Sequence, residues 1–411
     1  MRKYILLTAV VFLAFMVCGA LVFAGGGQEK VPGRQGAAEA GVEEAAGGEA
    51  AGGEAAGTEG GQGFEKVTVE YARGFAVEYY DTYKVVTVYK PWQGAEEDFQ
   101  YLLVQRGTEV PEGFENAQVV EIPLERIVTM STTYVTYLEM LDELDSLVGH
   151  ESFLYTMNDK LLEMAEEGRV KEVGSGPQMN VEIILSLEPD LVMTHAIGSD
   201  WDTHPKLFEA GLQVAMNGEH MEQTPLGRFE WMKFVALFFN REDRANEIFR
   251  ETEQAYHSLA GKVEGKENKP TVLVNSPYQG TWWIPGGNSF QARFIEDAGG
   301  DYLWSGDASE GALMLDIESV YEQASDAEIW INPGMWSSLA EATAEDERFT
   351  EFDAFQNRKI YNNNRMENEN GGNAYWEFGL TEPHIVLADL IAIFHPDVLP
   401  DHEFVYYQRL E

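Results

Sequence analysis

The amino-acid sequence predicts an α/β protein in which a long rigid helix joins two lobes and a β-rich extension comes first. From residue 126 onward, short apolar strands alternate with helices, a pattern typical of parallel sheets. Residues 227–263 contain no proline and place apolar side chains at helical spacing, which predicts one long helix with a bend near Asn240. After Pro270 the alternation returns. The helix therefore separates two α/β units.

The first 24 residues predict an export signal or a membrane anchor. Residues 1–3 form a short positive stretch, and residues 4–23 form an apolar run long enough to span a bilayer. Three alternatives stay open: cleavage after Ala24, lipidation of Cys18 in a loose match to a lipobox, and retention as an uncleaved anchor. Each alternative places the folded chain in the periplasm or at the cell surface, in contact with the membrane only through this N-terminal tether.

Composition narrows the possible functions. The 411 residues include 28 Lys+Arg and 70 Asp+Glu, a formal net charge of −42, and so acidic a surface argues against nucleic acid as a partner. The single cysteine, Cys18, lies in the apolar segment, which excludes disulfides, thiolate metal sites and cysteine nucleophiles from the folded part. Residues 25–63 are nearly all Gly, Ala and Glu and predict a flexible linker, which suits a tethered protein.

Residues 64–125 predict the β-rich extension. Turn residues separate four short runs of β-branched and aromatic residues, at positions 67–71, 76–80, 84–89 and 101–104. This spacing predicts an antiparallel meander. Its role stays open between a cap over one lobe, a docking surface and a cover for an exposed sheet edge.

The rest of the chain divides into a first lobe of residues 126–226, a connecting helix of residues 227–265 and a second lobe of residues 266–411. Both lobes are predicted to be Rossmann-like, with a parallel sheet flanked by helices. In the first lobe, the predicted strands are residues 127–130, 191–194 and 214–216, and the predicted helices are residues 133–147 and 180–187. In the second lobe, the strands are residues 272–274 and 329–331, and the helices are residues 290–298, 317–324 and 381–394.

Two segments, residues 180–192 and 315–331, look like one unit used twice. In each, a glutamate stands on the first turn of a short helix that leads into a buried strand. Together with residues 126–128 and 294–300, they resemble the helical-backbone class (class III) of periplasmic binding proteins, which deliver ferric siderophores, haem or cobalamin to ABC importers. The resemblance covers about residues 120–410 and leaves the extension outside the common core of the family.

The resemblance implies a docking role for one acidic residue in each lobe. In the family, these residues bind arginines of the importer permease, and the matching positions here are Glu182 and Glu318. A carboxylate on the first turn of a helix is exposed and favourably placed on the helix dipole, which suits this role. Ordinary helix-terminal acids would look the same by sequence alone.

The candidate ligand-binding residues follow the predicted strands, because ligands of open parallel sheets sit beyond the carboxyl ends of the strands. Five of them are tryptophans, which suit a large, partly planar ligand, and Arg365 could pair with an anionic chelate. His195 or Tyr134 could serve as an axial ligand to haem iron. The full set is Tyr134, His195, Trp201, Tyr278, Trp282, Trp283, Trp336, Arg365 and Trp376.

His195, His204 and His220 fall in one stretch of the sequence, but their spacing matches no metal-ligand pattern, so no resident metal site is predicted. We therefore expect a monomeric extracytoplasmic solute-binding protein that captures an iron chelate, a ferric siderophore, between two lobes and delivers it to an ABC importer permease. No cofactor and no catalysis are expected, since nucleophile-elbow, zinc-protease and phosphate-loop motifs are missing from the sequence. The alternatives are a haem- or cobalamin-binding protein of the same importer class, a surface receptor outside transport, and a carboxylate-based hydrolase.

Overall fold

The computed structural model describes residues 65–411. The predicted signal and linker, with Ala24 and Cys18, lie outside the described residues. Within residues 65–411, no helix combines the length and the apolar character that crossing a bilayer requires.

The extension forms a four-stranded sheet. Its first three strands are antiparallel neighbours, as the meander predicts, but the fourth pairs in parallel with the third. One face of the sheet packs into the core of the first lobe, and the other is covered by the loop of residues 106–117. The strands are β1 (Phe75–Tyr79), β2 (Tyr83–Val88), β3 (Phe99–Gln105) and β4 (Gln118–Ile122).

The first lobe is built on a five-stranded parallel sheet. Its strands are β5 (Ile127–Thr129), β6 (Leu147–His150), β7 (Lys171–Glu172), β8 (Leu191–Thr194) and β9 (Val214–Met216), in the spatial order β7-β6-β5-β8-β9. Its helices are α1 (Thr132–Met140), α2 (Asp159–Glu166), α3 (Val181–Ser186) and α4 (His204–Glu209). The helix predicted over residues 133–147 is too long, because Asp142 adopts a left-handed φ of 59° that no helix continues through.

Two helices, not one, connect the lobes: α5 (Pro225–Leu237) and α6 (Glu242–Ala260). The prediction of a single helix over residues 227–265 is therefore wrong, since Asn240 has a left-handed φ of 56°. All of α5 is buried. The connection itself is α6, whose first half, with Phe249, packs into the core of the first lobe and whose last turns, with Tyr256, pack into the core of the second.

The second lobe has a main sheet in the spatial order β13-β10-β15-β16-β17, parallel except for its last strand, and a small antiparallel sheet of β11, β12 and β14. Helix α11 packs along α6. The strands are β10 (Thr271–Val274), β11 (Pro277–Tyr278), β12 (Thr281–Pro285), β13 (Asp301–Tyr302), β14 (Ala312–Leu315), β15 (Ile329–Ile331), β16 (Ile360–Asn362) and β17 (Gln408–Arg409). The helices are α7 (Phe290–Asp297), α8 (Ile317–Ala324), α9 (Leu339–Glu345), α10 (Asp353–Gln356) and α11 (Pro383–Phe394).

Residues 67–71, predicted as a strand, instead lie extended along α5. Two carboxylates of the α5 region accept hydrogen bonds from the backbone N–H groups of this segment. In a β-sheet, a neighbouring strand would accept these hydrogen bonds. Glu230 accepts from residues 70, 71 and 72, and Glu222 accepts from residues 73 and 74, all at 2.7–3.1 Å. Side-chain carboxylates thus hold five successive residues of the extension.

The extension also fills the break between α5 and α6. Lys84 of β2 is fully buried, forms an ion pair with Glu242 and donates to the carbonyl of Leu237 and to the side-chain oxygen of Asn240, both at 2.8 Å. The amides of Gln105 and Asn240 exchange hydrogen bonds at 3.0 and 3.1 Å. The extension therefore satisfies the polar groups that the end of α5 leaves open.

Candidate functional site

The two lobes meet through a segment of the second lobe that we call the strap, residues 366–379, which follows β16. The strap contacts the loop that follows β6. The carboxylate of Glu377 accepts from the hydroxyl of Thr156 at 3.0 Å and from the backbone N–H of Met157 at 2.5 Å. The side-chain amide of Asn368 donates to the carbonyls of Leu154 and Thr156 at 3.2 and 3.3 Å. The lobes are thus in direct contact at the carboxyl ends of their strands.

A second contact joins the strap to α1. The hydroxyls of Thr133 and Thr136 donate to the carbonyls of Trp376 and Glu377 at 3.5 and 3.3 Å. Residues 375–379 form a π-helical turn, a feature often found at functional sites. Burial raises the pKa of Glu377 to about 7, although the hydrogen bonds from Met157 and Thr156 act in the opposite direction. The strap therefore holds a carboxyl group that titrates near neutral pH between the lobes.

A cluster of polar side chains, which we call the floor, lies at the carboxyl ends of the strands of the first lobe. Glu219 accepts two hydrogen bonds from the guanidinium of Arg228, at 2.8 and 2.6 Å. That guanidinium lies 4.3 Å from the ring centre of Phe290 in α7, so the floor also touches the second lobe. The members of the floor are Tyr134, Glu151, His195, Glu219, His220 and Arg228, and electrostatic interactions link them.

Desolvation controls the ionisation of the floor. It lowers the pKa of His195 and lowers that of His220 to about 4, while the nearby carboxylate of Glu219 favours the protonated form of both. Desolvation also raises the pKa of Glu151 to about 8. At neutral pH the floor therefore holds two neutral imidazoles and a protonated carboxyl group, and Glu219 and Arg228 neutralise each other.

The loop after β8 carries His195 and Trp201, and both its own residues and the extension fix its shape. The carboxylate of Asp202 accepts the backbone N–H groups of residues 197, 198 and 199 at 2.9–3.2 Å. Trp92 of the extension packs against Gly198, where an added Cβ would lie 3.1 Å from the indole, and its ring centre lies 5.0 Å from that of His204. The extension thus supports one wall of the cleft.

The aromatic residues that were predicted to line the cleft lie in different environments in the structure. Trp201 is 48% exposed. Tyr278 and Trp283 lie half-buried on the outward face of the small sheet, because residues that pair across antiparallel strands share a face and successive residues alternate. Trp376 is half-buried in the strap, and Arg365 is exposed next to it.

Two of the predicted cleft residues belong to the core of the second lobe instead. Trp282 is fully buried, stacks on Trp330 with ring centres 5.4 Å apart and donates to the carbonyl of Val274 at 2.9 Å. Trp336 is also buried and donates to Glu345 at 2.8 Å. The prediction that Trp282 and Trp336 line the cleft is therefore wrong, because both indoles point inward and have their N–H groups satisfied there.

The predicted docking acids are both exposed. Glu182 lies on the first turn of α3 and Glu318 on the first turn of α8. Each of these helices leads into a strand of a parallel sheet, so its first turn lies at the same edge of the sheet as the cleft. Glu318 also forms an ion pair with Arg348 at 2.8 Å, which the sequence did not indicate.

Exposed apolar side chains follow strands in both lobes, and Met314 adds one within β14 of the small sheet. Three of the six are methionines of the second lobe, and we call the whole set the rim: Leu154, Trp201 and Met221 in the first lobe, and Met314, Met335 and Met366 in the second. Single exposed apolar residues are ordinary, and the described residues include five others, but a set that gathers near the strand ends of two lobes is typical of a binding surface. The five others are Tyr80, Tyr89, Val110, Leu185 and Tyr321. The described residues contain no group of three or more His, Cys, Asp or Glu side chains arranged to hold a metal ion.

Sequence reasoning missed Glu151, Glu219, Arg228 and every member of the rim except Trp201. Glu151 follows β6, a strand that was not predicted, and Arg228 comes from α5, which was assigned only to the connection. The exposed methionines could have been found by applying the strand-end rule to all apolar residues and not to aromatic ones alone.

The sequence matches the family model described as periplasmic binding protein over residues 127–364. Curated relatives include two uncharacterized lipoproteins of Methanocaldococcus jannaschii. One is 27% identical over 306 residues, which are 72% of this chain and 71% of the relative. The other is 27% identical over 328 residues, which are 76% of this chain and 80% of the relative.

Solved structures with the same fold include three binding proteins. A protein of the ABC-type Fe3+-hydroxamate transport system of Saccharomonospora viridis aligns with a TM-score of 0.51 and 21% identity, over 66% of this chain and 94% of that one. A periplasmic heme binding protein of Pseudomonas aeruginosa aligns with a TM-score of 0.52 and 17% identity, over 70% and 98%. The molybdate periplasmic binding protein of Haemophilus influenzae aligns with a TM-score of 0.53 and 15% identity, over 69% and 90%. Because the family model covers more than half of the chain, the chain belongs to the periplasmic binding protein family, and its structure has the two-lobe fold of the binding proteins above.

Proposed function

We propose that the protein captures a ferric chelate between its two lobes and delivers it to the permease of an ABC importer. The observation that carries the proposal is the position of the accessible aromatic and apolar side chains. Trp201 and Trp376 lie in segments that follow β8 and β16, and Tyr278, Trp283 and Met314 share one face of the small antiparallel sheet. The other members of the rim lie in loops that follow strands of both lobes. Such a surface suits a ligand that is large and partly apolar, as an organic chelate is.

The charges of the cleft favour some chelates over others. The positive charge of Arg228 is engaged by Glu219, and Arg365 is exposed beside the strap. Because the protein has a formal net charge of −42, it would repel a strongly anionic ligand. Hydroxamate-type ferric chelates, which are neutral or positive, therefore fit better than catecholate-type ones.

Delivery would use the two docking acids. Glu182 and Glu318 present carboxylates from helix first turns, where the backbone fixes their position, at the cleft edge of each lobe. The ion pair of Glu318 with Arg348 is exposed, so an arginine of the permease could replace Arg348 at little cost.

Ligand binding can be tested by the intrinsic tryptophan fluorescence of the purified full-length chain, titrated with a ferric trihydroxamate, haem, cobalamin and molybdate. We expect saturable quenching by the ferric trihydroxamate, with a smaller amplitude in Trp201→Phe and in Trp283→Phe. The control Trp304→Phe removes a buried indole that contacts Tyr302 in the core, and its quenching should match the wild type. If only haem, cobalamin or molybdate quenched the fluorescence, that compound and not a ferric chelate would be the ligand. If none of the four compounds changed the fluorescence, the proposal would be contradicted.

Docking can be tested by uptake of the bound ligand in cells that express the cognate importer. The double variant Glu182→Lys, Glu318→Lys should abolish uptake while the purified variant still binds ligand, because two attractive contacts become repulsive. The matched control is Glu322→Lys, which reverses another exposed acid of α8 one turn further along. Uptake that survives the double reversal would exclude docking through these residues.

A further inference from the structure

Helices α3 and α8 begin in the same way. The side chain of Asn180 caps α3 by accepting from the backbone N–H of Ile183 at 3.1 Å, and Asp316 caps α8 by accepting from the backbone N–H of Ser319 at 2.8 Å. Each helix then leads into a strand of a parallel sheet, β8 or β15. Residues at equal distances from the two caps are therefore equivalent in the two lobes.

At two equivalent positions, the helices carry the same kind of exposed side chain. The second residue after each cap is a docking acid, Glu182 or Glu318. The fifth is a large apolar residue, Leu185 in α3 and Tyr321 in α8, which are 45% and 37% exposed. Residues three apart on a helix are neighbours on its surface. Each docking acid therefore has an exposed apolar side chain beside it, and we call each such pair a docking patch.

The two apolar side chains of the docking patches stand apart from the other exposed ones. Among residues 65–411, eleven large apolar side chains are exposed. Six of them form the rim and three lie on the extension, which leaves only Leu185 and Tyr321. Exposed apolar residues that are scattered singly have no reason to take equivalent positions in two repeated units. Their placement therefore points to a shared role.

The segment that follows α9 holds the second docking patch in place. The ring of Tyr321 meets the ring of the buried Phe352 edge-on, with ring centres 5.2 Å apart, and Glu318 pairs with Arg348 of the same segment. A ring that is already fixed loses little freedom when a partner covers it. Tyrosines of this kind are common among the residues that contribute most to binding at interfaces.

Two similar patches require a partner with two similar surfaces. An exposed carboxylate attracts a cationic side chain, and the apolar side chain beside it favours an apolar surface next to that cation. Because the patches repeat in the two lobes, a partner made of two identical or closely similar subunits can contact both of them.

We propose that Leu185 and Tyr321 are apolar anchors of docking, and that each half of the permease offers one of them an apolar pocket beside the arginine that binds the neighbouring glutamate. This inference rests on the proposed function, which supplies the partner. It assigns two contacts whose contribution to binding does not depend on charge.

The test measures the affinity of the purified full-length chain for the cognate importer in lipid nanodiscs, with no transported ligand present. Leu185→Ser and Tyr321→Ser should each weaken binding about 10-fold or more, because each removes an apolar side chain that the complex would bury. Tyr321→Phe keeps the ring and should bind like the wild type. The matched controls Val110→Ser and Tyr80→Ser remove exposed apolar side chains of the extension and should leave the affinity unchanged.

Salt dependence separates the apolar anchors from the acids. In the serine variants of the docking patches, the affinity should fall with added salt as it does in the wild type, whereas Glu182→Gln, Glu318→Gln should weaken this dependence. Thermal unfolding of each variant shows whether the fold is kept, and Leu185→Ser alone decides the question if Tyr321→Ser unfolds.

Equal binding of the wild type and the serine variants of the docking patches would overturn the inference, and so would equal weakening in the two controls. In either case, docking through the acids would stand if Glu182→Lys, Glu318→Lys still abolished binding. If the wild-type chain did not bind the importer at all, delivery to the permease and this inference would both be wrong.

Discussion

The buried ion pair between Lys84 and Glu242 should decide whether the extension stays attached to the connecting helices. The two side chains are 0% and 2% exposed, and Lys84 also donates to the carbonyl of Leu237 and to Asn240. We choose Lys84→Met, which keeps the aliphatic length of the side chain and removes its charge and its donors.

The expected cost follows from what the substitution leaves behind. The carboxylate of Glu242 remains buried without its partner, and the carbonyl of Leu237 and the side-chain oxygen of Asn240 each lose a donor. Removing one member of a buried pair costs about 3–5 kcal/mol in the free energy of unfolding. In Lys84→Met, Glu242→Gln the uncompensated charge is gone and only the lost hydrogen bonds remain, so the cost should shrink to about 1–2 kcal/mol.

Urea unfolding at pH 7, followed by circular dichroism and by tryptophan fluorescence, measures both values. Trp231 reports on the region directly, because its indole donates to Glu222 under residues 73 and 74 of the extension. The control Arg169→Met breaks an exposed ion pair with Glu167 and should leave the stability almost unchanged. A loss below about 1 kcal/mol in Lys84→Met, or a double variant no more stable than the single one, would refute the reasoning.

Three further predictions concern the strap, the extension and a tight turn. Burial raises the pKa of Glu377 to about 7, so protonation favours contact between the lobes. This contribution is full below about pH 4.5 and is lost as the pH rises through 7. Glu377→Gln should remove the resulting pH dependence of the radius of gyration in small-angle X-ray scattering, whereas Glu369→Gln, an exposed change on the strap, should keep it. Glu230→Ala should cost about 3–4 kcal/mol in urea unfolding, because three backbone N–H groups lose their acceptor, and a loss within about 1 kcal/mol would contradict that role. Gly287→Ala should cost about 1–3 kcal/mol in thermal unfolding, because the new Cβ would lie 2.3–2.8 Å from three backbone oxygens, and an unchanged melting temperature would mean that the turn adapts.

Elements with strong local signals could be predicted from the sequence. Helix α8 and strand β15 have the predicted bounds, since Asp316 caps the helix by accepting from the N–H of Ser319 at 2.8 Å and the strand is a buried apolar triplet. The bend predicted near Asn240 lies at the right place, but the sequence did not show that it is a full break between α5 and α6. Helical spacing continues across it, and the partner that stabilises it, Lys84, lies more than 150 residues away in the chain.

The candidate site shows the same difference between features with a local sequence signal and features that depend on distant packing. The strand-end rule depends only on where a strand ends, and Tyr134 and His195 do lie close after the ends of β5 and β8. That they bind a ligand stays a prediction, and Tyr134 is buried. The rule could not tell which of two adjacent tryptophans faces inward, so Trp282 was placed beside Trp283 although the sheet turns them to opposite faces. The ion pair of Glu219 and Arg228 depends on how α5 packs against the strand ends, which no local pattern records.

The attachment of the extension sets the smallest piece of this chain that can fold. The part that matches the family model begins at residue 127, yet a chain cut there would keep the buried carboxylates of Glu222, Glu230 and Glu242. It would lose the six residues, 70–74 and 84, that donate to these carboxylates. The three buried acids would then have to be protonated, or the helices that carry them would have to separate so that the carboxylates reach water. The extension is therefore not an appended module. It belongs to the same cooperative unit as the first lobe, and the start of the family match at residue 127 lies inside that unit.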